Sequence, residues 1–316
     1  MPRTVTVGFE GSPESRAAVE WAAREARLRA LPLLLVNVWE PVPAPMGRSP
    51  MLGSSTQPGW AQHGETSVGP GARRILRDAA DDVRRRHQAV DVSLEQLTGR
   101  ATEELLKAAV DAELLVLGWH GRSGVAGFLV GSVGLHVAAH AERPVVLVRA
   151  GESAADEHVP DPSGAVSAEA PFRPVVVGLD AAHPDETLLR FAFEAAALRD
   201  TTLRVVHDPG PPPPGHGPHA GGPHTGGPPD TAPDLGDVLG PPGTPHPLRR
   251  EFPAVEVVEE SSPGKAADHL VEASREASLV VVGRRVRHSP FGAHLGPVTH
   301  TVLHHAAAPV AVVAHR

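Results

Sequence analysis

Leu114-Leu115-Val116-Leu117-Gly118 sets four apolar side chains on successive residues and then stops at a glycine. Side chains alternate between the two faces of a strand, so an unbroken apolar run of this length is buried on both. That pattern belongs to a parallel sheet covered by helices. Working outward, further short strands read at 4–8, 33–38, 91–96 and 145–149, with this one spanning 113–118. Helices fit between them. Ser12 followed by Pro13 is an N-cap and first-turn signal, and Ala17, Trp21 and Leu28 then recur on one face. Residues 71–88 and 101–111 give two more helices. A fourth follows Gly131 to about Ala141, before Pro144. Five strands and four helices predict a doubly wound α/β domain.

The unit occurs twice. Val5-Thr6-Val7-Gly8-Phe9-Glu10 matches Val175-Val176-Val177-Gly178-Leu179-Asp180 at an offset of 170 residues, with Trp21 on Phe191 and Val36 on Val206. Further along the offset is 165, with Gly99 on Gly264, Gly118 on Gly283, Gly131 on Gly296 and Pro144 on Pro309. The sequence therefore predicts two tandem doubly wound domains, 1–149 and 172–316, each with a five-stranded parallel sheet and four helices. Residues 150–171, rich in Ala, Ser, Pro, Glu and Asp, read as a linker. Residues 209–247 contain 24 Pro or Gly in 39 positions, too many for a helix or central strand, and read as a disordered insertion. A milder insertion spans 41–70. In the second copy the insertion is expected to displace most of helix two.

Composition removes several function classes. The 316 residues carry 29 basic against 37 acidic side chains, a net charge of −8 that disfavours broad nucleic-acid binding. There is no cysteine, hence no disulfide, thiolate metal site or cysteine nucleophile. No apolar run approaches the roughly 18 residues that cross a bilayer, and Met1-Pro2-Arg3-Thr4-Val5 reads into a strand, not a signal peptide. A cytoplasmic protein is the expectation.

The chemistry-bearing pattern follows strand four: Gly118-x2-Gly121-Arg122-x8-Gly131-Ser132-Val133. In open α/β sheets ligands sit beyond the carboxyl ends of the strands, where the strand order switches. There Gly118 reads as bare backbone that a ribose can approach, and Gly121 as a positive-φ residue offering its N–H to phosphate. Gly131 and Ser132 open a helix whose unpaired N–H groups attract anions; the Ser132 hydroxyl adds a donor and Arg122 neutralises charge. Trp119 is placed to shield the nucleotide's edge. The competing reading, a tight turn and a helix start with no ligand, suffices for one glycine but not for the full spacing.

This spacing resembles that of the universal stress proteins, whose ATP-binding members carry it. Val7-Gly8-Phe9-Glu10-Gly11-Ser12, Leu35-Val36-Asn37-Val38 and Arg143-Pro144-Val145-Val146-Leu147-Val148 support the resemblance, which covers both copies. It implies ATP, with or without Mg, held at the strand ends, and dimer-like pairing through the last strands, Val145–Val148 and Val310–Val313. Gly8 and Ser12 would flank the nucleotide, Val38 would lie against adenine, and Gly118, Gly121, Arg122, Gly131, Ser132 and Val133 would cover ribose and phosphates. Glu10 departs from the family's usual aspartate by one methylene, and would accept a ribose hydroxyl at a displaced angle.

The second copy departs further. Val286 stands where the second glycine should be, Pro297 where Ser132 has its counterpart, and Ala182 in place of Ser12, although Asp180 is retained. Val286 resists positive φ and Pro297 removes an N–H. The expectation is one competent site and one degenerate site. Arg284, Arg285 and Arg287 read as a solvated basic turn. His216, His219, His224 and His246 read as solvated low complexity, and His300, His304 and His305 as helix-surface or interface residues. The arginines of 73–86 interleave with Asp78, Asp81 and Asp82 as a salt-bridged face.

No Gly-x-Ser-x-Gly elbow, Walker loop or adenylating motif is present, and His120 is the one titratable neighbour of the phosphate region worth testing. The expected function is an ATP-binding stress regulator or sensor, with homodimerisation open, no metal site and no dedicated catalysis. A non-nucleotide scaffold is the first rival. An adenylating enzyme is the second.

Overall fold

The computed structural model describes residues 3–40, 68–119, 132–167, 169–180, 183–207, 247–261, 266–286 and 295–315. It divides into unit 1, Met1–Ser153, and unit 2, Ala154–Arg316.

In unit 1 the elements run β1 (Thr4–Gly8), α1 (Pro13–Arg29), β2 (Leu33–Trp39), α2 (Val68–Arg86), β3 (Val92–Thr98), α3 (Ala101–Val110), β4 (Ala112–Trp119), α4 (Ser132–His140) and β5 (Val145–Arg149). The sheet order is β3-β2-β1-β4-β5, with every pairing parallel. Gly8 lies opposite Val36, and Val7 opposite Val116. The order switches between β1 and β4. Leu114, Leu115 and Val116 are fully buried, as an apolar run covered on both faces requires.

Local chemistry sets α1. Ser12 has extended backbone and its hydroxyl accepts from Ser15 N at 3.1 Å, while Pro13 supplies the preset φ of a first turn. Ala30 takes the left-handed conformation at the end and returns its N–H to Ala26 and Arg27 carbonyls. Trp21 is 1 % exposed. The charged face of α2 pairs Arg84 with Asp81, Arg85 with Asp82, and Arg86 with Glu20 across to α1.

Unit 2 repeats the scheme: β6 (Val175–Leu179), α5 (Glu186–Leu198), β7 (Leu203–His207), α6 (Pro247–Glu251), β8 (Val257–Ser261), α7 (Ala266–Ala273), β9 (Leu279–Arg285), α8 (Pro297–His305) and β10 (Val310–His315). Its order is β10-β9-β6-β7-β8, all parallel. Helix α6 has five residues where α2 has nineteen.

Two features differ from the sequence reading. The stretch read as a linker is folded in part. Ala154–Glu157 forms a 3-10 turn, and Glu157 and His158 are buried. The His158 ring packs on Phe172 at 4.2 Å, while the Arg173 backbone N–H and Nε donate to the carbonyls of Glu157 and His158. These contacts consume polar groups that a solvated linker would leave to water. Second, α5 starts late: at the repeat offset Glu186 corresponds to Arg16, three residues beyond the start of α1. The core of the 209–247 insertion and residues 41–67 lie outside the described residues.

Candidate functional site at the strand carboxyl ends

In unit 1 the carboxyl ends of β1, β2 and β4 converge with the first turns of α1 and α4. Glu10 follows β1 and is exposed. The Ser12 hydroxyl donates to its carboxylate while accepting from Ser15 N, so one side chain both caps α1 and orients Glu10. Gly11 between them has φ +94°, a conformation that favours glycine, and its N–H donates to Ser15 Oγ at 3.1 Å. With Ser12's single proton spent, Glu10 meets a ligand as an acceptor. Hydroxyl or amino donors suit it; phosphate oxygens do not.

A polar relay behind this turn has no counterpart in the sequence reading. Asn37 is buried near the end of β2, and its Nδ2 donates to the carbonyl of Phe9 at 2.8 Å. Gln96 Nε2 donates to Asn37 Oδ1 at 3.5 Å, and Arg73 Nε to Gln96 Oε1 at 2.6 Å. The relay ties the backbone just before Glu10 to β3 and α2. Its one sequence signal is an amide inside an apolar strand, Leu33 to Val38.

Two residues do other work than the sequence suggests. A side-chain carbon on Gly118 would lie 2.6 Å from the backbone carbon of Glu14 and 2.6 Å from Ser15 N, so α1's own first turn occupies the space read as room for a ribose. Trp119 is 3 % exposed, its six-membered ring 3.5 Å from where a side chain on Gly134 of α4 would start. It packs beneath α4 rather than shielding a ligand's edge. The bareness of Gly8 is likewise filled from within, by Leu117 and Leu105.

Val38 is half-buried in β2 opposite Leu97. Ser132 opens α4 and is exposed, and Val133 is half-buried. Gly121, Arg122 and Gly131, with His120, lie outside the described residues. The structure thus brings Gly8, Glu10, Ser12 and Val38 to the β1–β2 ends, and Ser132 and Val133 to the start of the helix after β4.

Unit 2 holds a cavity of about 690 Å³ at the same end of its sheet, against β6, β7 and β9 and the first turns of α5 and α8. Its polar lining is Asp180, His183, Asp185, Arg285, Thr299 and His315. Arg285 Nη2 lies 3.5 Å and His183 Nδ1 3.3 Å from Asp180 Oδ2. Asp185 caps α5, accepting from Thr187 N and Leu188 N, and lies 3.7 Å from His315 Nδ1. The basic turn of the sequence reading is therefore split. Strand β9 continues through Arg285, and alternation buries Arg284 while setting Arg285 on the cavity wall. The His300 and His304 rings lie 4.4 Å apart on α8, tilted to each other; among the described residues no three His, Asp or Glu side chains could hold a metal ion. No helix among the described residues is long and apolar enough to cross a membrane.

The family model described as universal stress protein family matches residues 1–149 and 171–314. A universal stress protein of Mycobacterium tuberculosis strain H37Rv is 30 % identical over 320 residues, covering 98 % of this chain and 94 % of its own. The crystal structure of a universal stress protein from Archaeoglobus fulgidus superposes with a TM-score of 0.64 at 16 % identity, covering 98 % of each chain. A universal stress protein solved in complex with cAMP is 28 % identical, covering 48 % of this chain and 98 % of its own, with a TM-score of 0.34. This chain belongs to the universal stress protein family.

Proposed function

We propose that unit 1 binds one adenine nucleotide, ATP with or without Mg, and that the chain acts as a cytoplasmic stress-response regulator rather than an enzyme. The observation that carries this reading is the Gly118-x2-Gly121-x9-Gly131-Ser132 spacing, which lies between β4 and α4 beside the switch in strand order. The described residues fit such a ligand by charge. Glu10, an acceptor fixed by Ser12, suits the hydroxyls of a nucleoside at the β1 side. The start of α4, with the N–H groups of its first turn and the Ser132 side chain, suits the phosphates. ATP supplies the adenosine and the polyanion; the protein's part is to bind and orient them. Nothing in the sequence supplies a catalytic motif, which favours binding over turnover.

Equilibrium dialysis with ATP tests the reading. Uptake of one nucleotide per chain, lost in Gly121→Val, is the expected result. No uptake by the wild-type chain would favour the rival scaffold. Pyrophosphate release with an acceptor would favour an adenylating enzyme.

A further inference from the structure

The repeat keeps the strand frame of unit 2 but alters what lies over its fourth strand. In unit 1 the first turn of α1 packs on the bare α-carbon of Gly118. In unit 2 that turn is not helical, since α5 begins only at Glu186, and the equivalent glycine is covered differently. A side-chain carbon on Gly283 would lie 2.6 Å from Nε2 of His315, which arrives at the end of β10. The cavity opens beside this rearrangement, with Asp185, Leu188 and His315 in its wall. Its volume, about 690 Å³, is that of small-molecule sites, and such sites combine apolar walls with a few placed polar groups.

Among the described residues, the donors that an anion needs at this helix start are missing or engaged elsewhere. Pro297 is the first residue of α8 and has no N–H. Thr299 Oγ1 donates to the Gly283 carbonyl at 2.9 Å, and Val286 N to the His315 carbonyl at 2.6 Å. Arg285 is turned to Asp180. Facing the space are two carboxylates, Asp180 beside Arg285 and His183, and Asp185 beside His315, so the basic side chains of the lining are already turned to carboxylates; Leu179, Leu188, Val206, Leu270 and Val282 form the apolar wall. Carboxylates accept from hydroxyl and amino groups and repel phosphate.

We infer that the cavity of unit 2 binds an uncharged, nucleoside-sized heterocycle bearing hydroxyl or amino donors, and excludes the phosphate esters of the same compound. The two copies then divide the work, one reading the phosphorylated form and the other the unphosphorylated form. The inference rests on the nucleotide reading of unit 1 for its choice of adenosine as probe.

The full chain carrying Gly121→Val with Glu10→Ala loses both the phosphate and the nucleoside contacts proposed for unit 1, and so isolates unit 2. Isothermal titration of that variant should show one adenosine bound, with ATP at least tenfold weaker. Gly296 lines the cavity with φ −63° and nothing within 4 Å of an added side-chain carbon, so Gly296→Trp fills the space without straining the backbone. It should abolish adenosine uptake with an unchanged circular dichroism melt. Asp180→Ala, at an exposed position, should weaken uptake about tenfold through one lost charge-assisted bond. Pro297→Ser with Val286→Gly should restore measurable ATP binding to unit 2. In that background, absence of adenosine uptake, ATP binding as tight as adenosine, or uptake that survives Gly296→Trp overturns the inference. Wild-type ATP uptake, measured alongside, reports on unit 1 separately, so a failure there is not mistaken for a failure here.

Discussion

The α-carbon of Gly118 lies against the peptide carbon of Glu14, so close that a methyl group on residue 118 would stand 2.6 Å from it. The end of β4 and the start of α1 therefore fix each other's position. Whatever binds at the switch in strand order binds to a scaffold set by this approach.

Gly118→Ala should destabilise unit 1 by about 1–3 kcal/mol, the cost of overpacking against backbone that cannot rotate away. Gly8→Ala meets the side chain of Leu117, also at 2.6 Å, which a rotamer change can move. Its cost should be smaller. Urea midpoints of the two variants check the order.

Ser12→Ala removes both the cap of α1 and the hydroxyl that holds Glu10. A loss of about 1 kcal/mol is expected from the cap alone. Thermal unfolding measured with and without ATP separates the cap from the site. The variant should melt lower without ligand and should also gain less from ATP than the wild type.

Glu10→Gln keeps an acceptor of nearly the same shape but turns a charge-assisted hydrogen bond into a neutral one. That difference is worth about 1 kcal/mol, or roughly fivefold in affinity. Equilibrium dialysis should show ATP binding to unit 1 weaker by that factor. An unchanged affinity would place the ligand's donors elsewhere.

Glu20 gives the fold a pH dependence. Burial pushes its carboxyl up, but the His87 hydrogen bond and the Arg86 charge, with His87 and Arg24, outweigh it and hold the group below its ordinary value. A carboxyl lowered on folding stabilises the native state above its unfolded-state value, and that contribution is lost as pH falls through the lowered one. Glu20→Gln should flatten the acid side of the stability profile, with a neutral-pH cost below about 1 kcal/mol because the pair is partly exposed. Urea titrations across the acid range check this.

Much of the fold is legible from local signals. The run Leu114–Leu117 fixes a doubly covered strand, and Ser12-Pro13 fixes the start of α1, because a strand's alternation and a helix's cap act within a few residues. What sequence reading misses is set by distant partners. His315 reaches Gly283 from the far end of unit 2, and nothing near either residue announces the contact. The burial of Trp119 depends on Gly134 in the next helix. Glu157 and His158 look like linker residues until Phe172 and Arg173 fold back on them. Even the glycine pattern is legible as spacing more than as purpose. Gly8 and Gly118 are bare because the protein itself packs there. The acceptor role of Glu10 comes from a hydroxyl two residues away.

Native mass spectrometry of the full chain with ATP counts the nucleotides held by each chain, and so reads binding in unit 1 without an intermediary. A single bound ATP on the wild-type chain and none on Gly121→Val is the expected result. No retained ATP on the wild-type chain, or an equal occupancy in the variant, would contradict it.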